Sequence, residues 1–170
     1  MTPPTPATLI IGYGNPLRGD DGVGWHVAQH LAAMMPATIA CVRACHQLTP
    51  DLAESVSQVR QVIFIDADAQ CRDADTALPE LEPWRVRCQH VEPDWSAAIS
   101  GCSHHLVPAV LMLYAAVLYG AFPKALVLTV TGVSFAYTQA LSPAVEAVLP
   151  VLVDQLQMLV QSRDSDMPCF

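Results

Sequence analysis

Apolar residues are arranged along this chain in two alternating ways. Some form short unbroken runs: Thr8–Tyr13, Gln61–Asp66 and Ala125–Val133 are almost continuously apolar, as strands buried on both faces of a sheet require. Between them apolar positions recur every three or four residues. This spacing predicts helices over Gly24–Met35, with Val27, Leu31 and Met34 on one face, and over Asp51–Val59. Pro108 suits a first helical turn, so a further helix is expected from about Val107 to Tyr119. Pro143 opens the last one, through Gln161, with Val145, Val148, Leu149 and Leu152 inward. Thr38–Ala44 reads as a second strand, and Trp84–Val91 alternates as an edge strand would. Residues 69–83 read as a polar connection. The alternation of strand and helix predicts an α/β fold, a three-layer α/β/α sandwich around a mostly parallel twisted sheet of about five strands with one antiparallel edge strand.

Composition narrows the picture. A chain of 170 residues suits one domain that buries about 70% of its unfolded surface. We therefore expect residues 1–170 to form a single domain with a loose tail over about 163–170. The apolar stretch Leu106–Phe122 contains Pro108 and Gly120 and is shorter than a usual membrane span, so it reads as a buried helix. The start, MTPPTPAT, lacks the positive charge of a signal or transit peptide, which favours the cytoplasm and no membrane partner. A net charge of -8 with eight Lys plus Arg argues against nucleic acid, because no basic run can displace counterions. Six cysteines without a C-x-x-C pair fit reduced thiols.

Candidate chemistry concentrates in the loop GYGNPLRGDDGVG, residues 12–24, where Asp20 and Asp21 occupy a position at which a phosphate cradle would offer bare N–H groups or positive charge. Ligands of open α/β sheets bind beyond the carboxyl ends of the strands. Asp21 after the first strand, Asp66 at the end of the third and His105 ahead of the Pro108 helix can converge there if strands one and three are neighbours. Two carboxylates and an imidazole suit a borderline divalent ion such as nickel or zinc, with positions left open. Other roles stay open on the residues alone. Asp20 or Asp21 can cap a helix, Asp66 can end its strand in a turn, and His105 can bond a backbone carbonyl. A dinucleotide fingerprint is incomplete, since Leu17 stands where G-x-G-x-x-G needs its third glycine. P-loop, H-E-x-x-H and G-x-S-x-G motifs are absent from the sequence. The helical pair His26 and His30 and the pairs Cys45–His46 and Cys102–His104 read more simply as solvated or inert side chains.

Taken together and in this order, IIGYGNPLRGDDGVG, VIFIDAD and SHHLVP resemble the nickel-iron hydrogenase maturation endopeptidases, as do GAFP before the last strand and LSPAVEAVLP at the last helix. The resemblance spans nearly the whole chain. It implies an enzyme that removes a short C-terminal extension from the nickel-loaded large-subunit precursor of a hydrogenase, and thereby activates it. It also implies that Asp21, Asp66 and His105 contact nickel, with Asp21 or Asp66 as catalytic base and Gly14, Asn15 and His46 on the substrate. The nickel would be supplied by the precursor, so no permanent cofactor is expected. A monomer is expected. Where many members carry Asp-Gly-Gly-Thr after the second strand, this chain has Cys45-His46-Gln47-Leu48-Thr49-Pro50, which is similar to the branch serving soluble NAD-reducing hydrogenases and makes His46 a candidate specificity residue. Asp20 is expected to cap or shape the loop. Two other classes remain: a non-catalytic metal- or nucleotide-binding escort for the precursor, and a self-sufficient zinc peptidase.

Overall fold

A computed structural model of the chain describes residues 7–68, 86–96 and 106–161. Its elements run β1 (Thr8–Tyr13), α1 (Val23–Met34), β2 (Ala40–Cys45), α2 (Leu52–Ser57), β3 (Gln61–Asp68), β4 (Val86–His90), α3 (Pro108–Tyr119), β5 (Lys124–Thr131) and α4 (Pro143–Gln161). The five strands form one sheet in the order β2-β1-β3-β5-β4. The β1–β2, β1–β3 and β3–β5 pairs are parallel, and β4 runs antiparallel to β5 at the edge. The architecture matches the α/β expectation.

Alternate residues of the central strands face opposite layers, as the strand period of two requires. Ile10, Ile63, Ile65, Leu128 and Val130 pack with α1 and α4, whereas Leu9, Ile11, Val62, Phe64 and Ala125 pack with α2 and α3. Both faces are therefore covered, which is why these strands lack polar alternation. Each fully buried Ile or Phe contributes about 1.5–3 kcal/mol.

The helices differ from expectation in detail. On α1 the buried row is Val23, Val27 and Leu31, continued by Met35 just past its end, while Met34 is exposed. Neither Asp20 nor Asp21 caps α1, because Gly22 occupies the N-cap and no side chain bonds there. Close packing sets that start instead. A Cβ on Gly24 would lie 2.2 Å from the Ile65 carbonyl oxygen and 2.5 Å from that of Tyr13, so only glycine lets α1 begin directly on β1 and β3. His26 buries its Nε2 with no hydrogen-bond partner among the described residues, and burial, followed by the charge of His30, lowers its pKa.

Pro108 stands in the first turn of α3, and Gly120 ends it in the left-handed conformation at φ 63°, a common helix stop. α4 is the one helix among the described residues that is long and apolar enough to cross a membrane by length and composition. It buries Val145, Val148, Leu149, Leu152, Val153 and Leu156 inside the fold while Glu146 and Asp154 are exposed, the one-sided pattern of a helix packed on a core.

Candidate active site

The chain leaves β1 through α1 to reach β2 on one side, yet β3 pairs with β1 on the other. Strand order thus reverses between β1 and β3, and the crevice beyond their carboxyl ends is the usual ligand position of such a sheet. The adjacency required for Asp21 and Asp66 to approach each other is present. Pairing of Gly12 with Ile65 places the next residues, Tyr13 and Asp66, side by side at that edge.

Asp66 is held from two directions. The Tyr13 phenol donates a hydrogen bond to its carboxylate, and the Ala67 N–H donates to Oδ1 at 2.8 Å. Burial raises the Asp66 pKa, and the negative charges of Asp21 and Asp68 push the same way; these outweigh the opposing pull of the two hydrogen bonds. Burial and the neighbouring Asp66 charge raise the Tyr13 phenol still further from its ordinary value, so it remains a protonated donor. The strand continues past Asp66 to Asp68, and Asp66 is consequently a strand residue and not a turn residue.

Asp21 comes to the crevice on a tight loop. Its Oδ2 accepts the Asn15 N–H at 3.0 Å. Gly14 has φ 129°, and a Cβ there would lie 1.9 Å from the Asp21 carbonyl oxygen, so the loop can close on Asp21 only with glycine at this position. The Asn15 side-chain oxygen accepts the Leu17 N–H at 2.9 Å, a local turn that pre-shapes the chain before Pro16 and Leu17. Gly14 and Asn15 therefore hold the carboxylate in place through backbone geometry.

His46 is exposed and directly follows β2, at the same end of the sheet but on the far side of β1. Beside it, burial raises the Cys45 thiol, and Asp51 adds to this against the opposing charge of Arg43. A protonated, partly buried thiol is a poor nucleophile, which disfavours a Cys45–His46 pair. His105, with Ser103, Cys102 and His104, lies outside the described residues. Among the described residues no group of three His, Cys, Asp or Glu side chains is placed to hold a metal. Asp21 and Asp66 thus supply two carboxylates at the crevice.

Asp20, expected to cap or shape the loop, finds its partners far along the chain. It is fully buried, and its carboxylate accepts the N–H groups of Val133 at 2.7 Å, Ser134 at 2.9 Å and Ser142 at 2.7 Å, with the Ser142 hydroxyl at 2.8 Å. Burial alone would raise its pKa, but the bonds from Ser142, Ser134 and Val133 hold it below the ordinary value. Asp20 ties the β1 loop to the segment between β5 and α4, over 113 to 122 positions of sequence. Backbone bonds from Gly19 to Thr138 and from Asp20 to Ser134 reinforce the tie. No local signal announces such a partner; only the adjacency of two acids in a glycine-rich loop marked the position.

No known protein-family profile and no curated protein sequence matches the chain. Solved structures do. The chain is similar to the NiFe hydrogenase maturation protease HycI from Thermococcus kodakarensis at TM-score 0.69 and 16% identity, over 93% of this chain and 94% of that one. Similarity to the hydrogenase 2 maturation peptidase from a Thaumarchaeota archaeon has TM-score 0.61 and 23% identity, over 91% and 97%. For the hydrogenase maturating endopeptidase HybD from E. coli the values are 0.65 and 18%, over 91% of each chain. Strand order, the glycine-shaped loop and the paired carboxylates thus belong to a chain with the fold of the hydrogenase maturation proteases.

Proposed function

We propose that this protein is an endopeptidase that removes a short C-terminal extension from the nickel-loaded large-subunit precursor of a nickel-iron hydrogenase. The observation that carries this reading is the placement of Asp21 and Asp66 on either side of the strand-order reversal, close enough for the Asp21 charge to act on Asp66. The resemblance of its sequence motifs and the likeness of fold to named maturation proteases support it.

In this reading the metal is part of the substrate. Asp21 and Asp66, with His105, complete the coordination of the precursor's nickel, and docking brings the scissile peptide to the crevice. Water adds to the peptide carbonyl as a carboxylate, Asp21 or Asp66, takes its proton; the carbon–nitrogen bond then breaks and the proton passes to the leaving amine. Polarisation of the carbonyl by the nickel is the second route to the same products. His46, exposed beside the crevice, contacts the precursor and contributes to the choice of hydrogenase, in keeping with the form found in the branch serving soluble NAD-reducing enzymes. The protein acts as a cytoplasmic monomer on a protein substrate, away from nucleic acid and membrane.

The Asp21→Ala variant tests the assignment. Precursor shortening, followed by intact mass, is expected to fall at least a hundredfold, within the range set by loss of a general base. Cleavage at the wild-type rate would remove Asp21 from the chemistry and with it this mechanism.

A further inference from the structure

The segment between β5 and α4 is rigidly held yet presents apolar side chains to solvent. Asp20 fixes it through three N–H groups and one hydroxyl, and the Gly19–Thr138 and Asp20–Ser134 backbone bonds lock it to the β1 loop. On these two joined segments Tyr137 is 91% exposed, Val133 58% and Leu17 48%. A rigid loop that exposes a whole tyrosine and two aliphatic side chains gains nothing from them in the free protein, and such clusters mark surfaces for a partner.

Arg18 supplies the polar part. Its guanidinium carbon lies 6.0 Å from the centre of the Tyr137 ring, and both side chains are exposed. A guanidinium facing an aromatic ring keeps its N–H edge free for two parallel bonds to a carboxylate. Around it the chain is acidic, with sixteen Asp plus Glu against eight Lys plus Arg. The crevice itself adds the charges of Asp21, Asp66 and Asp68. An anionic group on a polypeptide entering this crevice is repelled there and finds its counter-charge at Arg18.

The surface is continuous with the crevice. Asp21 is three residues beyond Arg18, and the exposed segment starts at the end of β5, where Asp68 pairs with Thr131 and its carbonyl accepts the Gly132 N–H at 3.0 Å. We propose that Arg18 and Tyr137, with Leu17 and Val133, form the docking shelf for the precursor's C-terminal extension, Tyr137 taking an apolar or aromatic side chain and Arg18 a carboxylate. The inference rests on the proposed function and adds the substrate segment and the residues that choose it. Arg18 and Tyr137 act on binding and touch no reacting atom.

The test uses the full chain and a nickel-loaded large-subunit precursor, with and without its C-terminal extension. Arg18→Ala and Tyr137→Ala are each expected to raise KM for cleavage about tenfold, the cost of a moderate interface contact, with kcat within twofold of wild type. Arg18→Lys restores only part of the loss, because an ammonium cannot make the two parallel bonds. In a direct binding measurement, wild type is expected to prefer the extended precursor over the truncated one, and Tyr137→Ala to lose that preference. Wild-type cleavage with unchanged KM in both alanine variants overturns the shelf and leaves the proposed function standing. Failure of wild type to shorten the loaded precursor contradicts the function and with it the shelf's occupant. Both residues are exposed, so thermal unfolding of the variants is expected to match wild type.

Discussion

An Asp66→Asn variant is expected to lose precursor cleavage and to unfold at a higher temperature than wild type at pH 7. Two opposite consequences follow from one environment. Burial and the charges of Asp21 and Asp68 disfavour the Asp66 carboxylate, whereas an amide is neutral and its oxygen can still accept the Ala67 N–H. The folded-state pKa is raised, so the folded protein binds this proton more tightly than the unfolded chain. Its contribution to stability is therefore complete below the ordinary carboxylate value of 3.8 and is lost as pH rises through the higher folded value. Asn removes that loss at neutral pH. Each kcal/mol recovered raises the midpoint by about 2–4 °C for a domain of this size, and a site that gives up stability for activity is a common exchange. Without the carboxylate, neither metal contact nor proton uptake survives at this position, and turnover should drop by two orders of magnitude or more, at least the roughly 10²-fold contribution of a positioned base. Thermal unfolding scanned from pH 4 to 8 checks the first half: the gap between variant and wild type widens as pH rises.

Asp20→Ala is expected to have the opposite signature. Removing this carboxylate leaves the N–H groups of Val133, Ser134 and Ser142 without their acceptor in a buried place, at about 1 kcal/mol or more each, so that about 3 kcal/mol or more is lost. The corresponding fall in midpoint is ~6–12 °C. Asn does not restore the site. Ser142 N–H meets one carboxylate oxygen while Val133 N–H, Ser134 N–H and the Ser142 hydroxyl meet the other, so one of these positions would face an amide N–H. The folded pKa of Asp20 is lowered, and its stabilisation is thus present above 3.8 and lost as pH falls through the lower folded value. The deficit of the alanine variant at pH 7 is expected to shrink below pH 4, and urea unfolding at the two pH values measures it. A deficit that stays constant with pH would mean that the charge of Asp20 is not what holds the loop.

Most of the fold was legible because its cause is local. Continuous apolar runs revealed β1, β3 and β5, and Pro108 and Pro143 marked the starts of α3 and α4. Boundaries were less so: pairing with β5 carries β3 two residues beyond Asp66, and β5 starts one residue before its apolar run, at Lys124, and stops two residues short of its end, at Thr131, where the pairing with Asp68 ends. Met34 and Met35 exchanged places because adjacent methionines carry no pattern that chooses between them; packing does.

The site was legible in its residue types and opaque in its contacts. Asp21 and Asp66 could be singled out by position at strand ends. Nothing in Tyr13 announced a bond to Asp66, which comes from the parallel register of β1 and β3. Nor could the loop reveal that Asp20 turns inward to residues more than a hundred positions away while Asp21 bonds Asn15. One acid became a structural tie and its neighbour a candidate ligand, a division set by tertiary packing alone.

The measurement that bears most directly on the account is the intact mass of a hydrogenase large-subunit precursor after incubation with this protein, with nickel loaded and without. The account predicts loss of a C-terminal peptide in the nickel-loaded sample only, abolished in the Asp21→Ala and Asp66→Asn variants. An unchanged mass in the loaded sample of the cognate precursor would contradict it and favour an escort that binds without cutting.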